Sequence, residues 1–375
     1  MHILDRFRDA ETGRALLERV FVLAERAREK LGRPPVFMEV CGTHTVAISK
    51  AGLRSLLDGK LELRSGPGCP VCVTDYGDID TMVAFGRLPG VTVGTFGDMV
   101  RVPGSTTSLE EEKARGADVR VFYSPADAVQ WAEANPGRQM VFLGVGFETT
   151  APAIALSVAQ AQAQGVKNYS VFSANKVVPP ALHALLADPE LRLDGFILPG
   201  HVSAIIGRRA YDFIADQYGL PSVISGFETL DILDALYHLL QQVLAGEARV
   251  VNGYTRVVRE EGNPRAQALL KQFFDPTDVS WRGFGVIPDS GLQWKPEYRA
   301  FDAAARFAPE VAEPRIPQGC RCGDLLKGKL TPRECKLFAT ACTPTHPVGP
   351  CMVSSEGACA AFYQYERRGA VGARE

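Results

Sequence analysis

Three cysteines and a histidine fall in two short stretches near the front of the chain. Cys41 and His44 close the run Val36-Phe-Met-Glu-Val-Cys-Gly-Thr-His44, and Cys69 and Cys72 close Gly66-Pro-Gly-Cys-Pro-Val-Cys72. A thiolate and an imidazole three residues apart suit iron, zinc or copper, metals that sulfur and nitrogen donors select. A Cys-x-x-Cys pair in a reducing compartment is a redox dithiol, half of a metal site, or simply two small buried residues. The Gly-Pro-Gly lead-in argues for backbone held close to something, and a turn into the next segment would lower the thiolate pKa. Six further cysteines, at 320, 322, 335, 342, 351 and 359, lie behind residue 319. Little hydrophobic periodicity orders residues 319 to 350, so a metal centre whose formation is coupled to folding is expected to do so. Zinc favours ligands paired at two-to-four-residue spacing, which this tail lacks. Widely spaced single cysteines suit an iron–sulfur cluster, whose ligands come from separate loops. Zinc and unmetallated thiols stay open, and spacing alone does not choose four ligands from six.

Two other candidates stand at the ends of apolar runs. His201 lies in Leu198-Pro-Gly-His-Val-Ser203, and Glu148 in Gly146-Phe-Glu-Thr149. The second motif recurs as Gly226-Phe-Glu-Thr229, which suggests one βα turn design used twice, with the glutamate in the first helical turn beside unpaired N–H groups. The remaining histidines, 2, 183, 238 and 346, read as surface or packing residues. Gly144-Val-Gly146 begins a dinucleotide fingerprint, but Thr149 stands where the third glycine belongs and Glu148 would repel a pyrophosphate. No nucleotide-driven chemistry is expected.

These tips need strands and helices to carry them. The helical stripe Leu16, Val20, Leu23, Ala27, Leu31 predicts an N-terminal amphipathic helix over 11–31, ended by Pro34 and Pro35. Strands are predicted at 36–40, 61–64, 91–95, 119–123, 140–145, 168–173, 195–198 and 222–225, with helices between them. Such alternation implies parallel sheets covered by helices on both faces, where chemistry sits at strand C-terminal tips. After residue 246 the rhythm gives way to glycines, prolines and short β-prone runs. The organisation expected is therefore an N-terminal helix (1–35), a first α/β domain (36–135) with Cys41, Cys69 and Cys72, a second (136–245), and a cysteine-rich iron–sulfur domain (246–375). In fold class this is α/β, two Rossmann-like parallel-sheet domains facing a cleft plus a smaller third domain. Cys41, His44, Cys69, Cys72, Glu148 and His201 should line the cleft.

A chain of 375 residues with 41 Lys and Arg against 43 Asp and Glu carries no broad basic or acidic field, so neither nucleic acid nor a membrane surface is an expected partner. No apolar run approaches the roughly 18 residues of a spanning helix, and the first residues lack the apolar core of a signal peptide. A cytoplasmic protein is expected, where nine cysteines are not a disulfide scaffold.

With these residues in hand, the chain resembles the HypD family of hydrogenase maturation factors. The matching stretches are Met38–His44, Gly66–Cys72, Thr95-Phe-Gly-Asp98, Gly146–Thr150, Pro199–Ser203 and Met352-Val-Ser-Ser-Glu-Gly-Ala-Cys359. The resemblance implies a scaffold that assembles the Fe(CN)2CO unit of NiFe hydrogenases with a small HypC-type chaperone and a HypE-type cyanide donor. It implies a 4Fe–4S cluster on Cys322, Cys335, Cys342 and Cys359, leaving Cys320 and Cys351 as extra thiols. It also implies that Cys41 binds the iron being decorated and that Cys69 and Cys72 are the redox pair, similar in logic to ferredoxin–thioredoxin reductase. That arrangement requires the tail to fold back onto Cys69 and Cys72. Two other classes remain: a thiol–disulfide oxidoreductase with a structural zinc site, and a two-lobed small-molecule binding module.

Overall fold

The structure, a computed structural model, describes residues 9–366. His2 and the stretch ahead of Asp9 in the expected N-terminal unit lie outside the described residues. The predicted helix runs Ala10–Leu31, capped by the Asp9 carboxylate accepting from the Thr12 N–H. Its stripe buries Val20, Ala24 and Ala27 against helix Thr229–Ala245.

Among the described residues, nine strands alternate with helices: β1 (Val36–Glu39), β2 (Glu62–Ser65), β3 (Val91–Thr95), β4 (Asp118–Val121), β5 (Gln139–Gly146), β6 (Tyr169–Asn175), β7 (Gly195–Pro199), β8 (Ser222–Ser225) and β9 (Val250–Asn252). They form two parallel sheets, one ordered β2-β1-β7-β8-β9 and the other β4-β3-β5-β6. The apolar runs seen in the sequence are those of strands buried on both faces. A hairpin, β10 (Phe274–Trp281) and β11 (Gly285–Trp294), follows.

The sheets do not divide the chain at 135 and 245. Segment 36–135 sends β1 and β2 to the first sheet but β3 and β4 to the second, and β9 joins the first sheet from behind residue 246. The reason lies in β1. All four of its residues are buried, so it needs a neighbour on each edge, and β7 supplies the second one. The second sheet is thus inserted between β2 and β7. One apolar core runs through both sheets, from Met38 and Val40 to Val93, Val141, Phe196 and Leu198. Beneath β1, the fully buried Glu39 pairs with Arg54, whose Nε lies 3.3 Å from Glu366 near the end of the described chain.

The repeated Gly-Phe-Glu-Thr motif serves two different ends. Glu228 caps helix Thr229–Ala245 and shares a capping box with Asp231. Glu148 stands ahead of helix Ala151–Gln164 rather than in its first turn. Its carboxylate accepts from the Val178 N–H (2.9 Å) at the start of a different helix, Val178–Leu186. The attraction of a carboxylate for a helix N-terminus was legible; which helix it meets was a tertiary matter.

Candidate thiol and metal centre

Cys41 follows β1 and caps helix Gly42–Lys50. The loop after β2 is pressed onto its backbone: the Gly42 N–H donates to the Gly68 carbonyl at 3.0 Å. A Cβ on Gly68 would stand 2.2 Å from the Cys41 nitrogen, and one on Gly42 would stand 2.6 Å from Glu356 Cβ. Only glycine at both positions lets three segments meet at this thiol. Burial pushes the Cys41 thiol up to about 11, the His44 backbone N–H opposing it and the Glu356 charge adding to it. The thiol is neutral until something displaces its proton.

His44 is fully buried. Its Nε2 lies 2.8 Å from the Gly226 carbonyl, so Nε2–H is the donor and Nδ1 is left a bare acceptor. Nδ1 has no hydrogen-bond partner among the described residues, and burial holds the ring near a pKa of about 4, hence neutral. The imidazole therefore ties the β1 tip to the β8 tip. Phe227 packs 4.7 Å from it and stacks 4.0 Å from His201, which follows β7 and keeps solvent access. Glu148, just beyond β5 in the second sheet, is buried as well. Burial raises the Glu148 carboxyl to about 7.

Cys69 caps the short helix Pro70–Val73, its sulfur accepting from the Cys72 N–H at 3.2 Å. The expected gain in thiolate character does not reach Cys72. Burial drives that thiol well above its ordinary range, contact with Cys351 opposing and contact with Cys69 adding. Here a dry site outweighs the turn's N–H groups.

The tail does fold back. Helix Pro350–Val353 packs on Pro70–Val73, which sets the Cys351 thiol between Cys72 and Cys322 as their neighbour. Asp98, beyond the end of β3, holds this segment by accepting from the Ser354 hydroxyl and the Ser355 N–H, both at 3.2 Å. The Thr43 hydroxyl donates to Glu356 at 2.6 Å. Asp98 and Glu356 thus tether the tail to the strand tips. Both stand in the stretches that carry the family resemblance, yet no local pattern could assign them, since Glu356 and Thr43 are 313 residues apart.

All six tail thiols line one small cavity. Burial raises Cys320 to about 12, and the neighbouring Cys322 adds to it. Cys342 accepts from the Val348 N–H at 3.3 Å. Among the described residues no three His, Cys, Asp or Glu side chains close around a single ion. A lining of six thiols set among apolar side chains such as Leu325, Leu337 and Phe338, with no single-ion geometry, fits a multi-iron cluster held by four cysteines. Cys322 lies beside Cys351, and its charge also leads those acting on Cys320 and Cys359. Cys320 and Cys322 thus stand equally in the cavity lining, and the resemblance names Cys322 as the first of the four ligands. No helix among the described residues is long and apolar enough to cross a membrane.

The family described as HypD, "Hydrogenase formation hypA family", matches residues 15–366. The chain is 46% identical over 375 residues to the hydrogenase maturation factor HypD of Azotobacter vinelandii, covering 98% of each. It is 45% identical over 369 residues to that of Escherichia coli, covering 98% of this chain and 99% of the other. A "putative hydrogenase expression/formation protein" of Methanocaldococcus jannaschii is 41% identical over 355 residues, covering 94% of this chain and 98% of the other.

Proposed function

This chain belongs to the HypD family, and from that premise we propose that it is a hydrogenase maturation factor. It holds an iron unit bound for a NiFe hydrogenase at Cys41 and supplies electrons to it through a chain of thiols. A HypC-type chaperone and a HypE-type cyanide donor are its partners, and the cytoplasm is its compartment. The observation that carries this reading is the line of thiols: Cys69 and Cys72 beside the loop packed on the Cys41 backbone, Cys351 on the helix packed against theirs, and Cys322 with Cys351 in the lining of one cavity.

Before iron arrives, Cys41 is a thiol, not a thiolate. Loading a ferrous Fe(CN)2CO unit there exchanges the thiol proton for iron, which makes loading favour higher pH. Cyanide and carbonyl demand low-spin ferrous iron, and a thiolate holds that iron while leaving positions open. His201, exposed and stacked on Phe227 beside His44, is open to the incoming ligands.

The dithiol handles electron pairs. When Cys69 and Cys72 are joined, the Cys351 thiolate attacks the Cys72 sulfur, the Cys69–Cys72 bond breaks, and Cys69 leaves as thiolate. The Cys322 thiolate then attacks the Cys351 sulfur and releases Cys72. Cys322 and Cys351 give up two protons, Cys69 and Cys72 take up two, and one electron pair has moved toward the iron site. Cys335, Cys342 and Cys359 would hold a 4Fe–4S cluster together with Cys322, the ligand the resemblance implies, or with Cys320 when Cys322 serves the relay; the cluster would supply one-electron chemistry next to this two-electron exchange.

Purification without air tests the reading. The expected protein is brown, with iron and acid-labile sulfide in roughly equal amounts. A colourless protein carrying zinc would instead make it a thiol–disulfide oxidoreductase with a structural metal.

A further inference from the structure

Arg282 is 3% exposed, and neither of its two terminal nitrogens has a hydrogen-bond partner among the described residues. Leaving a guanidinium buried with both amino groups unsatisfied costs several kcal/mol unless an anion compensates it. Backbone contacts hold it there. Arg282 sits at the turn of the β10–β11 hairpin, where its N–H donates to the Val73 carbonyl (2.9 Å) and its Nε donates to the Thr74 carbonyl (3.0 Å). Both acceptors lie at the end of the helix that carries Cys72. Its guanidinium lies 3.7 Å over the Tyr76 ring.

The next residue fixes the other side. A Cβ on Gly283 would stand 2.3 Å from the Cα of Gly323, the neighbour of Cys322. Backbone therefore meets backbone, and the hairpin turn is wedged between the Cys72 helix and the start of helix Cys322–Leu326. Through this contact the turn that carries Arg282 lies against the segment that brings Cys320 and Cys322 into the cavity lining.

We propose that Arg282 is a positioning residue for this sulfur centre. Its two free amino groups meet the negative charge that gathers on the Cys320–Cys322 side of the cavity, raising the reduction potential there. The inference rests on the thiol relay and sulfur centre proposed above. A cation beside a centre that gains negative charge on reduction favours the reduced form, and N–H groups directed at sulfur act in the same sense. The hairpin, which belongs to neither parallel sheet, thereby delivers one fixed charge to the junction of dithiol and cavity.

The test compares reduction potentials of the full chain, purified without air, as wild type, R282Q and R282K. With iron and sulfide contents equal, R282Q should shift the one-electron equilibrium about tenfold toward the oxidised form, about 59 mV more negative. R282K keeps the charge but lacks the two-nitrogen fork, so it should shift the same way by roughly threefold. Wild-type potentials in both variants would overturn the proposal, as would a wild-type potential in R282K alone should R282Q fail to accumulate. A wild-type chain lacking iron and sulfide would sink the cluster, not this inference. In that case the Cys322/Cys351 equilibrium with dithiothreitol, read by maleimide mass shift, carries the same comparison. One protein S–S bond opens as the reagent's closes, and two electrons and two protons pass. The same ordering of variants is expected, and equal equilibria would overturn it.

Discussion

The two ends of the thiol path are built by different means. Cys41 rides on β1, whose residues are buried in a core that includes Met38 and Val40 from its own segment and Phe196 and Leu198 from β7. Apolar burial orders that site whatever the state of its sulfur. The tail around Cys320–Cys359 has a small apolar cluster of its own, Leu325, Leu330 and Ala358, and short helices such as Cys322–Leu326, Pro350–Val353 and Ala358–Ala361. Its order comes from docking onto Asp98, Thr43 and the Cys72 helix, and from whatever its thiols bind. The lesson is a division of labour: a self-sufficient α/β body presents Cys41 and the Cys69–Cys72 pair, and a dependent tail presents the six cavity thiols.

Removing a cavity thiol should separate the two ends most sharply. Cys335→Ala is expected to abolish visible absorption and to open residues 319–359 to limited proteolysis, while the melting of the α/β body hardly changes. Retention of the full chromophore would show that Cys335 is no ligand. Loss of the whole fold would show that the body is not self-sufficient.

Cys351→Ser cuts the path at its middle. Iron and sulfide content should stay at the wild-type value, because Cys351 lies outside the proposed ligand set. Exchange between the Cys69–Cys72 disulfide and Cys322 should fall by about a hundredfold or more, since serine is no leaving group or nucleophile for disulfides. Alkylation time courses read this directly. A variant that lost its iron would place Cys351 among the ligands and return Cys322 or Cys320 to the spare position.

The smallest effect expected lies in the body. Glu148 has its carboxyl raised from 4.5 to about 7 by burial. Between those values the folded chain keeps a proton that the unfolded chain has released, so stability falls as pH rises through the window and the loss is complete above the folded value. Glu148→Gln should remove that slope and gain on the order of 2 to 3 kcal/mol relative to wild type above neutrality. Urea unfolding at acid and alkaline pH reads it; parallel curves would show that Glu148 is ionised without penalty.

Much of this was legible in one sequence, for physical reasons. Strand tips carrying Cys41, Cys69, Glu148 and His201 could be found because buried parallel strands are short apolar runs, and chemistry-bearing residues interrupt them. Sheet membership could not, because β1 chooses β7 for its second edge across more than a hundred intervening positions, and no local signal records that choice. The same holds for Asp98, Glu356 and Arg282, whose partners come from distant segments. The ligand set illustrates the limit best. Cys320 and Cys322 are nearly interchangeable as spacings, and both line the same cavity.

The most direct test of the central claim is infrared spectroscopy of the chain isolated without air together with its small chaperone partner, as wild type and as Cys41→Ala. The account predicts cyanide and carbonyl stretches in the wild type and none in the variant, whose iron–sulfur chromophore stays unchanged. Stretches of equal strength in Cys41→Ala would contradict it.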